Sequence, residues 1–475
     1  MATRRQLLTA GVTGALLIPA GVAVADDGKR RGSSKRKPIH HKKKKHYPGE
    51  KKDRRQSTGH RLVTRITPTG ERIMGVAVDT EVELLAVSDL RRVVSVSWTA
   101  PGQEPTSLSV QSAFTASSPG DEEVGNGRYL IVEFAGLDEE LPQPYELIRG
   151  NEDPTPFREF GADGEVITVD RVQATNTPSH LDETLRITFE LTGSVLTADD
   201  DAVEPQTFEV PARRSNFLEQ ALGEFEEGEM KGKGSGNVLN YRLRRAKGVG
   251  KAPLVVFLHG SGQVGQDNDA HMLSSLGAVG VLDYEDCWVL APQLPSVFDP
   301  HDEFDPDTRE GGGIHWQSDN RQQLVIDFVR KLIRRNPGIE ASRVYVQGLS
   351  RGGEGALMMA LKAPDLFAAM GSFSGREAGT IEWMDGQATS SMLEPGLETR
   401  MWFFHATQDP VAPVEGTRRN VELLQELGHS SLRYTEIDYA REFDAGYANS
   451  SAHNSWDVGY NSSAFWEWLL GQRKG

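Results

Sequence analysis

The segment Val344-Tyr345-Val346-Gln347-Gly348-Leu349-Ser350-Arg351-Gly352-Gly353 constrains the fold more than any other stretch of the chain. An apolar run leads into a serine that has glycine two residues away on each side, and a helix-forming sequence follows. An elbow of this kind holds the serine in a strained backbone conformation. Side chains at Gly348 or Gly352 would then collide with the neighbouring strand or helix. A chain with 49 glycines produces Gly-x-Ser-x-Gly by chance, so the surrounding pattern has to decide. On this reading Ser350 is a nucleophile.

The surroundings alternate between strands and helices. Short apolar runs at residues 254–258, 288–291, 344–346, 368–373 and 401–404 read as strands buried on both faces, and residues 321–335, 354–362 and 417–427 read as amphipathic helices. The first of these helices places Leu324, Val325, Phe328, Leu332 and Ile333 on one face. Such alternation predicts an α/β domain with a mostly parallel sheet covered on both sides by helices. In such sheets reactive groups collect at the carboxyl ends of the strands.

Four of these ends fit together. They carry His259-Gly260-Ser261-Gly262, the elbow at Ser350, Asp409 in Thr407-Gln408-Asp409-Pro410, and His453 in Ala452-His453-Asn454-Ser455-Trp456. The order Ser, Asp, His is that of an α/β-hydrolase and not of the chymotrypsin or subtilisin types. A serine hydroxyl becomes a useful nucleophile when an imidazole takes its proton. His453 can do so if Asp409 fixes its tautomer and stabilises the imidazolium. Asp438 and Asp457 rival Asp409, whereas His259 and His405 read as structural. The oxyanion of a tetrahedral intermediate would be met by the backbone N–H of Arg351 and one from Ser261 or Gly262. Trp316 is a candidate wall of the substrate pocket, with a core tryptophan as the alternative. Arg351 either attracts a substrate carboxylate or pairs with Glu354. This chemistry calls for no metal and no cofactor.

At 475 residues the chain can hold two domains. Its single cysteine, Cys287, excludes an intramolecular disulfide and a cysteine-based zinc site. Residues 1–25 read as an export signal of the twin-arginine type: Arg4-Arg5, a leucine-led uncharged stretch, and Ala23-Val24-Ala25 before a cleavage site. A retained membrane anchor is the alternative. Residues 26–60 form a basic segment expected to be disordered. Within residues 29–55, 14 Lys or Arg stand against Glu50 and Asp53, a local +12. Because the formal net charge is −16, the chain after residue 55 carries −28. The basic segment is either a solvated linker or an arm for polyanions and anionic surfaces. No aromatic interleaving points to specific nucleic-acid recognition.

Residues 61–212 carry β-type runs at 71–78, 82–87, 92–98, 128–134, 166–172, 185–191 and 206–210, separated by Pro/Gly/Asp-rich turns, and suggest a β-sandwich. Residues 213–475 form the second domain, opening with a polar stretch at 216–229 expected to be helical.

The runs Pro253-Leu254-Val255-Val256-Phe257-Leu258-His259-Gly260-Ser261-Gly262, Val289-Leu290-Ala291-Pro292-Gln293, Arg343 to Gly353, Pro364-Asp365-Leu366-Phe367-Ala368-Ala369 and His453-Asn454-Ser455-Trp456 with Phe465 to Leu470 resemble the two-domain bacterial esterases, also catalogued as predicted peptidases. In these an immunoglobulin-like domain precedes an α/β-hydrolase domain. The resemblance implies a carboxylesterase acting on modest acyl groups, with Ser350, Asp409 and His453 as its triad. A serine peptidase on the same fold and a non-catalytic polymer-binding protein are the alternatives. The chain departs from the family pattern at Gln263-Val264, where an acidic-basic pair is usual, and at Arg351, where a small or apolar residue is usual.

Overall fold

The computed structural model describes residues 59–475 except 69, 137–139, 152–153, 161–164, 173, 183, 219–221, 234–236, 297–312, 381–387, 439–450 and 475. The expected export signal and all but the last residues of the basic segment lie outside the described residues. Residues 59–475 form one compact unit. No helix among the described residues is long and apolar enough to cross a membrane.

The N-terminal strands build an eight-stranded sheet in the spatial order Gln206–Pro211, Arg186–Leu191, Val94–Thr99, Thr106–Ala116, Gly127–Ala135, Gly70–Leu84, Arg61–Thr67 and Phe217–Leu218. The strand Thr106–Ala116 joins its halves. Its first residues pair with Val94–Thr99, and from Ser109 onward it pairs with Gly127–Ala135, with a register shift between Val110 and Ser112. Such an irregularity bends a strand and lets it pass from one layer to the other. The curled halves face each other across a core that includes Val76, Val132, Val96, Ile187, Phe189 and Val210. This is the immunoglobulin-like sandwich. The expected runs 71–78 and 82–87 belong to one strand as far as Leu84, which kinks at Glu81, where φ is 64°.

The second sheet has the order Phe225–Lys231, Val238–Arg244, Trp288–Gln293, Ala252–Leu258, Ile339–Leu349, Ala369–Phe373, Arg400–Ala406 and Leu432–Ile437. The first two junctions are antiparallel and the remaining five are parallel. Strand order reverses where Ala252–Leu258 lies beside Ile339–Leu349, and that is where an open α/β sheet leaves a crevice. Alternate residues feed two cores. Leu254, Val256, Leu258, Val344 and Val346 pack with the helices Asp319–Arg335, Arg351–Lys362 and Val414–Glu426. Val255, Phe257, Tyr345 and Leu349 pack on the other face with the helices Ser455–Tyr460 and Ser463–Gly471. This is the α/β-hydrolase sheet, covered on both sides.

The stretch 216–229, expected to be helical, is instead the short strand Phe217–Leu218 followed by the edge strand Phe225–Lys231. Tertiary charge pairing explains the difference. Glu224 meets Arg244 at 2.8 Å, Glu226 meets Arg245 at 3.1 Å and Glu227 meets Arg242 at 2.9 Å, all across the hairpin with Val238–Arg244. Opposite charges facing each other in a ladder favour the extended form over a helix that would crowd the glutamates together.

The sandwich is packed into the hydrolase. Ile66 and Tyr145 belong to the same buried cluster as Met272 and Leu273, and the Tyr145 hydroxyl donates to Leu273 O at 3.2 Å. Strand Ala174–His180 runs against the turn Ser261–Gln263. Asp269 receives Arg242, and Arg214 at 3.4 Å, with His180 3.9 Å away. Replacing Ile66 with alanine is expected to lower the unfolding free energy by ~2–5 kcal/mol, as for other large-to-small core changes. Urea titration followed by the tryptophan fluorescence of the hydrolase part measures this, and an unchanged midpoint would refute the shared core.

Candidate active site

The elbow forms because the backbone there has no room for side chains. Ser350 sits at φ 54° and ψ −122°, between strand Ile339–Leu349 and helix Arg351–Lys362. A β-carbon on Gly352 would fall 1.9 Å from Leu258 O, and one on Gly348 would fall 2.3 Å from Gly352 O. Both glycines are therefore required by backbone contact, and the serine between them is lifted out at the strand end.

Two further side chains converge on it. Asp409 follows strand Arg400–Ala406, and His453 lies just before helix Ser455–Tyr460. His453 Nε2 is 2.9 Å from Ser350 Oγ, while Nδ1 lies 2.8 Å from Asp409 Oδ2 and 3.0 Å from Oδ1. With the Nδ1 proton donated to the carboxylate, Nε2 is left to accept from the serine hydroxyl. The side chain of Asp409 is fully buried. Burial raises its pKa, but hydrogen bonds from His405 and His453, the nearby His453 charge and the Ala412 amide outweigh it and hold the carboxyl well below the usual carboxylate range. The main chain of His453 is pinned in turn. Ser374, itself at φ 49°, donates to His453 O at 2.6 Å and lies 2.7 Å from Ser455 Oγ. The rival Asp438 makes a long contact with Gln408 at 3.5 Å, and Asp457 lies buried in helix Ser455–Tyr460.

The glycine-rich turn abuts the elbow. A β-carbon on Gly260 would lie 3.1 Å from Ser350 Cβ. Ser261 and Gly262 follow in a single 3₁₀ turn that ends at Gln263, whose Oε1 accepts from Gly260 N at 2.7 Å. Gln263, a departure from the family pattern, thus closes the turn on itself. His259 beneath it is fully buried. Its Nδ1 donates to Gly260 O at 2.7 Å and its Nε2 accepts from Leu294 N at 3.0 Å. Burial pushes its pKa down to about 4, so it stays neutral and structural, as expected.

Trp316 was expected as a candidate wall of the substrate pocket, and the structure corrects this. The indole is fully buried, its Nε1–H donates to His259 O at 2.9 Å, and a β-carbon on Gly355 would strike Trp316 Cβ at 2.5 Å. Trp316 is the core alternative, tying the turn to the nucleophile helix.

Arg351 lies in the same support. Its side chain is 3% exposed and pairs at 3.1 Å with Glu354, 2% exposed, whose other oxygen accepts from Gln317 Nε2 at 2.9 Å. Of the two sequence readings, pairing with Glu354 is the one the structure bears out. The supporting roles of Gln317, Ser374 and Ser455 escaped sequence reasoning. Only Ser374 left a usable signal, as the residue after the strand next to the elbow.

Comparisons with known proteins agree with this architecture. Residues 248–462 match the Esterase family, and residues 59–204 match the Esterase Ig-like N-terminal domain. No functionally curated protein matches the chain. Among solved structures, a thermostable esterase is 26% identical, with a TM-score of 0.67, over 87% of this chain and 99% of its own. A ferulic acid esterase from the anaerobic fungus Anaeromyces mucronatus is 16% identical, with a TM-score of 0.33, over 49% of this chain and 91% of its own.

Because Arg351 and Glu354 are both desolvated, removing the arginine leaves the buried Glu354 without its counter-charge. Arg351→Met is expected to cost ~3–5 kcal/mol, with much of that recovered in Arg351→Met/Glu354→Leu. Urea unfolding of the two variants measures this; equal losses would contradict a mutual pair. The chain belongs to the esterases that join an immunoglobulin-like domain to an α/β-hydrolase domain, and it is a hydrolase acting on esters.

Proposed function

We propose that the protein is an exported serine carboxylesterase that works through an acyl-enzyme on Ser350. The observation that carries this reading is the unbroken hydrogen-bond chain from Ser350 Oγ through His453 to Asp409, at 2.9 and 2.8 Å. The export part rests on the twin-arginine pattern of residues 1–25.

The chemistry follows from proton positions. Ser350 Oγ attacks the ester carbonyl as its proton passes to His453 Nε2. Asp409, a buried anion, stabilises the imidazolium without taking its proton. Charge then gathers on the carbonyl oxygen, to be met by the amide of Arg351, at the positive end of helix Arg351–Lys362, and by one amide from Ser261 or Gly262. His453 returns its proton to the leaving alcohol. Water repeats the sequence against the acyl-enzyme, with His453 as the base, and releases the carboxylic acid. The bond broken is the acyl C–O bond, and no redox partner or metal enters this sequence.

Hydrolysis of p-nitrophenyl acetate and butyrate by the purified protein tests the reading. Ser350→Ala is expected to lose ~10⁶-fold in kcat, as removal of a triad nucleophile does elsewhere, and Asp409→Asn about 10⁴-fold, since the wrong tautomer of His453 is then favoured. Peptide hydrolysis without ester hydrolysis would point to a peptidase. Absence of turnover on either substrate class would leave the non-catalytic reading.

A further inference from the structure

Asp409 has a second imidazole beside it. His405, in strand Arg400–Ala406, is fully buried, and its Nε2 lies 3.1 Å from Asp409 Oδ2 and 2.9 Å from Ala412 O. Both neighbours are acceptors, so Nε2 must carry a proton and share it between them. On the far side of the ring, Nδ1 lies 2.8 Å from Thr417 Oγ1, in helix Val414–Glu426. The imidazole is thereby clamped between that helix and the Asp409 loop.

His453 Nδ1 reaches both carboxylate oxygens, and the remaining donors are divided between them. Oδ1 accepts from Val411 N at 2.8 Å and Ala412 N at 2.9 Å, while Oδ2, the oxygen closest to His453 Nδ1, is the one that meets His405. A buried anion fully supplied with donors keeps both its charge and its orientation. Charged and titratable groups around His405 are Asp409 itself, His453 beyond it, and Glu436 of the adjoining strand Leu432–Ile437, which is paired with Arg418 at 2.7 Å.

We propose that His405 is a positioning residue for hydrolysis: its Nε2–H holds Asp409 Oδ2 in register with His453 and moderates the pull of the carboxylate on the His453 proton. This rests on the Ser350–His453–Asp409 reading given above. His405 touches neither substrate nor the reacting serine, so its effect passes entirely through Asp409. Without that donor the Asp409 charge is shared with fewer protons and binds the His453 proton more tightly. The imidazolium then persists to higher pH, and the acid limb of the kcat/KM profile moves upward.

The test uses the full chain with His405→Asn and His405→Gln. A glutamine amide reaches the position of Nε2 and restores the donor, whereas an asparagine amide stops near Thr417. His405→Asn is expected to lose about 10–100-fold in kcat with KM nearly unchanged, matching a hydrogen bond to a charged group worth ~1.5–3 kcal/mol. Its acid limb should move to higher pH, while His405→Gln should stay close to the parent in both respects. The rate of fluorophosphonate labelling per folded molecule should follow the same order, and it remains readable where His405→Asn folds in poor yield. Equal losses in Asn and Gln, or a lower melting temperature with an unmoved pH profile, would overturn the proposal and leave His405 as a packing residue. Retained turnover in Ser350→Ala would instead defeat the underlying triad reading, whatever the His405 variants did.

Discussion

Everything at the reactive end of the sheet depends on the close passage of three backbone segments: Leu258-His259, Gly348 and Gly352. Where a β-carbon would fall 1.9 Å from Leu258 O, the chain has glycine, and the helix N-terminus can press against the neighbouring strand end. That proximity sets Ser350 beside the turn at Gly260 and gives it a φ of 54°. Strain of this kind persists only where the surroundings over-determine it. Here the surroundings are two packed cores, one on each face of the sheet, and a hydrogen bond from Ser350 N to Phe373 O at 2.8 Å.

Around this fixed point the polar groups are arranged by burial. The side chain of Asp409 is fully buried yet anionic because four neighbours donate to it. Arg351 and Glu354 form a second buried charge pair directly after the nucleophile, and Gln317 extends it to the residues around Trp316. Desolvated groups of this sort add little net stability, but they are costly to break, and so they hold geometry. Both clusters sit one layer behind the serine, where rigidity matters for the alignment of Ser350 with His453.

The strand ends were legible in sequence because periodicity is local. Apolar runs of three to five residues, each followed by a polar or glycine-rich turn, located the Gly260 turn, Ser350 and Asp409 without any knowledge of which strands pair, and His453 completed the chain order Ser, Asp, His. What depended on distant partners was harder to see. The glutamates at 224, 226 and 227 suit a helix in isolation and become a strand only because Arg242, Arg244 and Arg245 lie opposite. Trp316 looked available to substrate until its indole proved to be the donor that caps His259 O. His405 was read as structural for want of any local sign that its ring would face Asp409, although it stands only four residues before it. The sandwich was visible as β texture, but its continuity through Thr106–Ala116 depends on a bend that no local pattern announces.

The central claim is that Ser350 becomes covalently acylated during turnover, and intact-protein mass spectrometry after rapid acid quench of a p-nitrophenyl butyrate reaction tests it most directly. The account predicts a butyryl adduct, mapped to the peptide containing Ser350, that accumulates with a burst of one p-nitrophenol per protein molecule. Turnover with no burst and no adduct, or an adduct on another residue, would contradict it.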